Sequence, residues 1–271
     1  MFTRDHSGPE RYDFSNNLVY LGGYGNTPRN AGWTTSKKLF APRVGIAYRL
    51  GTKTVIRTGY GISIDPYPIG TAMKRAWPSV VNNEYLGPNT FQPAATIEQG
   101  IPFFTGPDVS PGVLPLPLSA TTRTMNNGLF HRGYIQSWNF FLERELPGHF
   151  TSSLGYVGTR SIRQTVLQNL NAAPPGGGPA GTPLAILFGR TVTTELHTPF
   201  GTSSYNALQS SLHRRFHNGL MIRASYTYSK AIDFNDNSDS SLLWNYAGAL
   251  ERNRATAGYD RTHVFRLANV A

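Results

Sequence analysis

Histidines are the side chains most able to do chemistry in this sequence, and the seven of them stand at 6, 131, 149, 197, 213, 217 and 263. They are dispersed. His213 and His217 are four apart, which brings two imidazoles together on a helix, but the surrounding residues alternate as a strand does and then turn. A zinc site needs three or four converging ligands, so none is expected. His263 follows shortly after Asp260 and is expected to fix a loop-to-strand junction with it. The run Asp233-Phe234-Asn235-Asp236-Asn237-Ser238-Asp239 offers the oxygen donors that calcium takes. An EF-hand loop needs Gly at its sixth position and Glu at its twelfth, where Ser238 and Trp244 stand, and a solvated polar loop is the simpler reading. The glycine tract at 174–181 has no Gly-Lys-Ser/Thr after it and makes no phosphate loop. Gly61-Ile62-Ser63-Ile64-Asp65 fails as a nucleophile elbow at its last position. No catalytic residue, cofactor-binding residue or metal ligand is assigned, no cofactor is implied, and an enzyme is not expected.

The elements that carry these residues read as strands. Charged residues are only 15%, aromatics 12%, and Gly numbers 28 of 271, a mix poor in helix formers. Cysteine is absent, which excludes disulfides and thiolate metal sites. No run of 18 apolar residues exists, so no transmembrane helix is expected. The first ten residues lack the apolar core of a signal peptide. The net charge of +10 is spread, with no basic run beyond Lys37-Lys38 or Arg214-Arg215, and nucleic-acid binding needs a clustered stripe.

Alternation organises the chain around residues 203–233. Two runs of ten or more residues flank the turn His217-Asn218-Gly219. In the second, Leu220, Ile222, Ala224, Tyr226 and Tyr228 share one face, and Met221, Arg223, Ser225, Thr227 and Ser229 the other. An ordinary strand has about 5–6 residues; a tilted strand that crosses a bilayer needs about 9–11. Residues 43–64 form a similar hairpin about Gly51-Thr52, and residues 134–158 another about Pro147-Gly148, with Phe141 breaking its pattern. A last alternating run covers 263–271. Residues 1–41 read as irregular, with Leu18, Val19, Tyr20 and Leu21 as a short candidate strand.

Connections thus alternate between short (51–52, 146–149, 217–219) and long (65–133, 159–203, 233–261). Outer-membrane barrels have this asymmetry, with tight periplasmic turns, long outer loops, an apolar face toward lipid and a polar one toward a wet lumen. The expected fold class is therefore all-β, a sector of an antiparallel transmembrane β-barrel with about seven long strands. A soluble β-sandwich also alternates and stays open as the other reading, which would make the chain a secreted or surface adhesin or binding module. An open sheet edge cannot face lipid, so the sector is expected to be a fragment of a larger, incomplete barrel unless residues 1–41 or 65–133 hide closing strands.

Several segments carry a family resemblance. A-P-R-V-G-I-A-Y-R-L-G-T-K-T-V-I-R-T-G-Y-G-I at 41–62 resembles a hairpin of Oar-like TonB-dependent receptors of acidobacterial type. Q-S-W-N-F-F-L-E-R-E-L-P-G at 136–148 and G-Y-V-G-T-R at 155–160 resemble the next hairpin, and N-L-N at 169–171 a segment after it. S-S-Y-N-A-L-Q-S-S-L-H-R-R-F-H-N-G-L with A-S-Y-T-Y-S-K-A-I-D resembles the following hairpin, and Y-D-R-T-H-V-F-R-L at 259–267 the start of the next strand. The resemblance implies a 22-stranded barrel in the cell outer membrane, contact with outer-membrane lipid, and an N-terminal plug, often preceded by a carboxypeptidase-regulatory-like domain. It also implies energy supplied by the TonB system through the plug, and a bulky solute or polypeptide as substrate, with no nucleic acid. Plug, TonB box, signal peptide and terminal aromatic residue are not found in these 271 residues, so residues 1–271 are expected to be one part of such a barrel domain. Its long loops would form the capture surface, with Trp77, Tyr85, Phe91, Phe103, Phe104 and Trp244 as stacking or packing groups.

Overall fold

Glycine and asparagine at positive φ close three tight turns, and about those turns the chain doubles back as long strands. The computed structural model describes residues 8–66, 76–81, 85, 87–100, 103–237, 241–246 and 248–270. In chain order its first strands are β1 (Glu10–Asp13), β2 (Leu18–Leu21), β3 (Trp33–Thr35), β4 (Arg43–Leu50), β5 (Thr54–Ile64), β6 (Val113–Pro115), β7 (Thr122–Met125) and β8 (Gly128–Phe130). Then come β9 (Tyr134–Leu146), β10 (Phe150–Asn169), β11 (Thr194–His217), β12 (Leu220–Asp233), β13 (Ala255–Thr256) and β14 (His263–Val270). The described helical structure is short: α1 (Pro183–Phe188) and the 3-10 turns Pro179–Gly181 and Leu250–Asn253. Two compact units form, one within 1–34, 68–129 and 169–197, the other within 35–67, 130–168 and 198–271.

The second unit holds the main sheet, in the order β4-β5-β9-β10-β11-β12-β14. Leu50 pairs with Thr54, Leu146 with Phe150 and His217 with Leu220 across the three turns. The last is a two-residue loop, one shorter than the sequence suggests. Asn218 (φ 51°) and Gly219 (φ 78°) both lie in the left-handed region, as the favoured hairpin turn requires. Register then fixes the faces. Tyr48, Ile56, Leu142 and Leu154 form one row, and Val44, Tyr60 and Trp138 another. Farther along, Leu208 stands opposite Tyr228, and Tyr226 opposite Phe265. Members of this face such as Val44, Ile46, Leu142, Leu154 and Leu267 are exposed. A sandwich buries such residues under a second sheet; here they remain at the surface, and the sandwich reading is set aside. The opposite face carries polar groups, among them the Arg57–Glu143 ion pair at 3.1 Å.

Phe141 lies on that polar face because Gly155, its direct partner on β10, leaves room for the ring. Trp138 covers its own partner Gly158 on the apolar face in the same way. A Cβ at either glycine would meet ring atoms. Among the described residues, the outer edges of β4 and β14 have no partner strand, so the sheet is open, as an incomplete barrel wall is.

The first unit packs inward. Tyr12, Val19, Leu21, Trp77, Leu116 and Leu184 form its core, under the three-stranded sheet β1-β2-β6. β7 pairs in parallel with the first four residues of β11. Within that pairing Arg123 Nε donates to Glu195 at 2.7 Å, both side chains being buried. Buried Arg190 donates to the carbonyls of Pro117 (2.5 Å) and Ala120 (2.7 Å) and to Thr194 Oγ1 (3.2 Å).

The segments expected to be long loops hold more structure than the sequence suggests. Residues 1–41 contribute β1, β2 and β3, and 65–133 contribute β6, β7 and β8. None of these closes the main sheet. β10 runs on to Asn169 and β11 starts at Thr194, so the loop expected over 159–203 shrinks to 170–193. Val166 and Leu167 are both buried, Val166 beside Phe234 and Leu242. A strand covered on both faces loses its alternation, which is why its extension is hard to read. The N-L-N segment is structural: Asn169 Oδ1 accepts from the Asn171 and Thr194 amides, and Asn171 holds the Arg190 and Val192 carbonyls and the Leu184 amide.

Candidate functional site

Period-two alternation delivers a row of hydroxyl, amide and guanidinium groups to the polar face of β11, β12 and β14. Tyr205, Gln209, Ser225, Thr227 and Arg266 line a groove of about 390 Å³ there, with Tyr259, Asp260 and Arg261 at its loop end. Residues 257–262 are stitched to the end of β12. Asp260 accepts from the Ala231 amide at 2.6 Å, from Lys230 Nζ at 3.2 Å and from Thr262 Oγ1 at 3.3 Å. Ser229 Oγ donates to the Arg261 carbonyl and the Ser229 amide to that of Thr262. The Ala231 amide, aided by Lys230, holds the Asp260 carboxyl below the usual carboxylate range. Asp260 therefore fixes the junction as expected, but His263 is not its partner. The His263 ring turns to Tyr226, Nδ1 to hydroxyl at 2.8 Å, because the two residues lie on the same apolar face.

The acidic run serves the same junction. Asp236 accepts from the Gly258 amide with both oxygens (2.9 and 3.0 Å), and Asp233 accepts from the Tyr259 hydroxyl at 3.2 Å. Beyond the apolar stretch of β12, burial and the neighbouring Asp236 raise the Asp233 carboxyl above its ordinary range. Ser238 and Asp239 lie outside the described residues. Among the described residues, no group of three or more His, Asp or Glu is placed to hold a metal. His213 and His217 do not converge: the His217 ring lies against that of His149, centroids 4.2 Å apart and planes tilted by 45°, and His213 pairs with Arg223 across the hairpin. His6 lies outside the described residues.

The six aromatic candidates separate. Trp77 is a core residue of the first unit, 6% exposed, and is not free to touch a solute. Phe91 and Phe103 are 96% and 93% exposed, while Tyr85 and Phe104 are about half exposed. In the second unit, Trp244 is tied down on both sides. Its amide donates to Asn253 Oδ1 (3.0 Å), Asn253 Nδ2 donates back to its carbonyl (2.7 Å), and the Arg252 guanidinium lies over its ring at 5.6 Å. Sequence reasoning placed Ser225, Thr227 and Ser229 on the polar face but did not single out Tyr205, Gln209 and Arg266. Extending the alternation across to β11 and β14 would have found them.

A two-faced open sheet with tight turns at one end is the geometry of a barrel wall, and the sequence comparison agrees. The family described as outer membrane beta barrel domain matches residues 1–271. The chain belongs to that family. Its place is the outer membrane, with the apolar face as its lipid-facing surface. No curated protein matches the sequence. Among solved structures, the chain is similar to the siderophore receptor PirA from Pseudomonas aeruginosa, at 14% identity and TM-score 0.37 over 70% of this chain and 28% of that one. It is similar to the alcaligin outer membrane receptor FauA from Bordetella pertussis, at 14% identity and TM-score 0.39 over 86% and 26%. It is also similar to the outer membrane transporter YddB from Escherichia coli, at 11% identity and TM-score 0.44 over 81% and 23%. This barrel domain thus spans less than a third of each of those chains.

Proposed function

We propose that this barrel domain is a sector of an Oar-like TonB-dependent receptor, contributing wall and solute-facing surface to the uptake of a bulky solute or polypeptide. The role is transport, not catalysis. The observation that carries the reading is the in-register sheet. It sets an aliphatic and aromatic face against a face of hydroxyls, amides and ion pairs, with all three tight turns at one end. Of the segments that resemble Oar-like receptors, 41–62, 136–148, 155–160, 203–233 and 259–267 build this sheet. On this reading the polar groove along β11, β12 and β14 faces the lumen, and Tyr85, Phe91, Phe103, Phe104 and Trp244 offer rings to the solute. Gating belongs to a plug and to TonB, partners outside these residues.

The test is a blot of fractionated source cells with an antibody against the 203–233 hairpin, followed by capture with the periplasmic domain of TonB. The expected result is an outer-membrane band well above 29.8 kDa that shifts on boiling and is retained by TonB. An outer-membrane band that TonB does not retain would leave the barrel standing and remove the receptor.

A further inference from the structure

The apolar face carries a group of cations where a lipid-facing wall would be expected to have none. At the end of β5 and β9 away from the tight turns, Lys38, His131, Arg132 and Arg163 line a groove of about 290 Å³. Its floor includes the apolar Ile62 and Ile64, which stand opposite Gln136 and Tyr134, with Phe40 also lining the groove. Ile62 and Ile64 share their face with Tyr60 and Ile56, the lipid-facing row, so the groove opens toward lipid. Among the described residues, no carboxylate lines it.

The backbone holds these cations together. Arg132 is pinned, its Nε and Nη2 both donating to the Asp65 carbonyl, while the Asp65 amide donates to the Gly133 carbonyl at 2.9 Å. Gly133 lies so close to the Arg163 carbonyl that a side chain at 133 would collide with it, and Arg163 itself kinks β10 at φ 58°. The kink brings Arg163 beside His131 and Arg132. Residues 36–40 complete the groove by running past the end of β5, where the Ile62 amide donates to the Pro42 carbonyl at 2.9 Å.

We propose that this groove binds a phosphorylated glycolipid of the outer leaflet, its phosphates against Lys38, Arg132 and Arg163 and its acyl chains along Phe40, Ile62 and Ile64. Charge and position select this occupant. The loop end of a barrel wall faces the outer leaflet, basic residues at headgroup level attract anionic lipids, and an apolar floor beneath cations matches a molecule with phosphate above and hydrocarbon below. A free anion would use the cations and leave the floor empty. The proposal rests on the membrane-spanning wall and stands whether or not the domain takes part in transport.

The test uses the full-length protein, purified in mild detergent, beside a Lys38→Gln/Arg132→Gln/Arg163→Gln variant. Binding is read by native mass spectrometry with three probes: a bis-phosphorylated hexa-acyl glycolipid, the same lipid after phosphatase treatment, and inorganic phosphate. Three cations at about fivefold each predict roughly a hundredfold weaker binding by the variant. The phosphatase-treated lipid should bind the wild type about as weakly, and millimolar inorganic phosphate should not displace the intact lipid. Equal binding by wild type and variant overturns the proposal, as does displacement by inorganic phosphate at lipid-like concentration, which would mark a plain anion site. Heat-modifiable migration reports whether the variant folds. If it does not, Arg163→Gln alone should weaken binding about fivefold, and an unchanged affinity is again a refutation.

Discussion

Leu142 and Leu116 are both leucines in β-rich surroundings, yet Leu142 stands at the surface of its sheet and Leu116 is sealed in a core. The main sheet of the second unit and the core of the first differ in this respect. The main sheet presents its aliphatic and aromatic residues outward and keeps its charges on the other face, as with Arg57 and Glu143. The first unit does the reverse with its apolar groups and goes further, burying the Arg123–Glu195 pair and Arg190. The comparison teaches that alternation reports two-sidedness alone. Which side is the inside depends on the solvent, and hydrocarbon is the solvent for one of the two.

Breaking the interior of the first unit should produce the largest effect. Arg123→Met takes the guanidinium away from the buried Glu195 carboxylate, at a cost of about 3–5 kcal/mol. We expect amide exchange of β1, β2 and β7 to accelerate by several orders of magnitude while the protein keeps its heat-modifiable migration. Loss of that migration would show that the units share one stability. The complementary test inverts the sheet. Leu154→Arg places a cation on the lipid face and should cost about 2–4 kcal/mol near the bilayer midplane, whereas Ser153→Arg, on the other face beside Glu143, should change stability by less than about 1 kcal/mol. Unfolding in urea from lipid vesicles measures both, and equal effects would contradict the assignment of faces.

A pH dependence should belong to the first unit. Burial raises the Glu10 carboxyl to about 7. A carboxyl raised in the folded state binds its proton more tightly there than in the unfolded chain. Stability is then highest below pH 4.5, falls as pH rises toward about 7, and is level beyond, with up to about 3 kcal/mol lost. Amide exchange of β1 and β2 should therefore be faster at pH 8 than at pH 5, and Glu10→Gln should flatten the difference. A modest effect is expected at the hairpin turn. Gly219→Ala forces a Cβ into the left-handed region at φ 78° and should lower stability by about 1–2 kcal/mol, read in the same vesicle assay.

The sheet was readable in the sequence because one face of each strand meets lipid and the other meets water, which writes a period of two into 43–64, 134–158 and 204–231. Of the first unit, β2 was readable at Leu18–Leu21 and the rest was not. Its strands are three or four residues long, too short to show a period, and its core draws single residues such as Tyr12, Trp77 and Leu184 from distant segments. Trp77 reads as a loop ring for that reason. The junction at Asp260 was half legible: the acid was visible as a strand-start anchor, but its partners are the Ala231 amide and Lys230, and no spacing announces a backbone amide. The cationic groove was not visible, since Arg163 reaches His131 and Arg132 through the close approach of Gly133 to the Arg163 carbonyl, and Lys38 through the run of residues 36–40 past the end of β5.

The two rings of β9 bear on how the wall is assembled. Phe141 and Trp138 project to opposite faces, and each needs a partner without a Cβ. Sliding β10 by two residues either way keeps every side chain on its proper face, so hydropathy alone does not resist that error. It would, however, set Phe141 against Ser153 or Val157, and Trp138 against Tyr156 or Arg160. The glycines thus act as a proofreading device for strand alignment during insertion, admitting one pairing and rejecting neighbours that lipid would accept equally well.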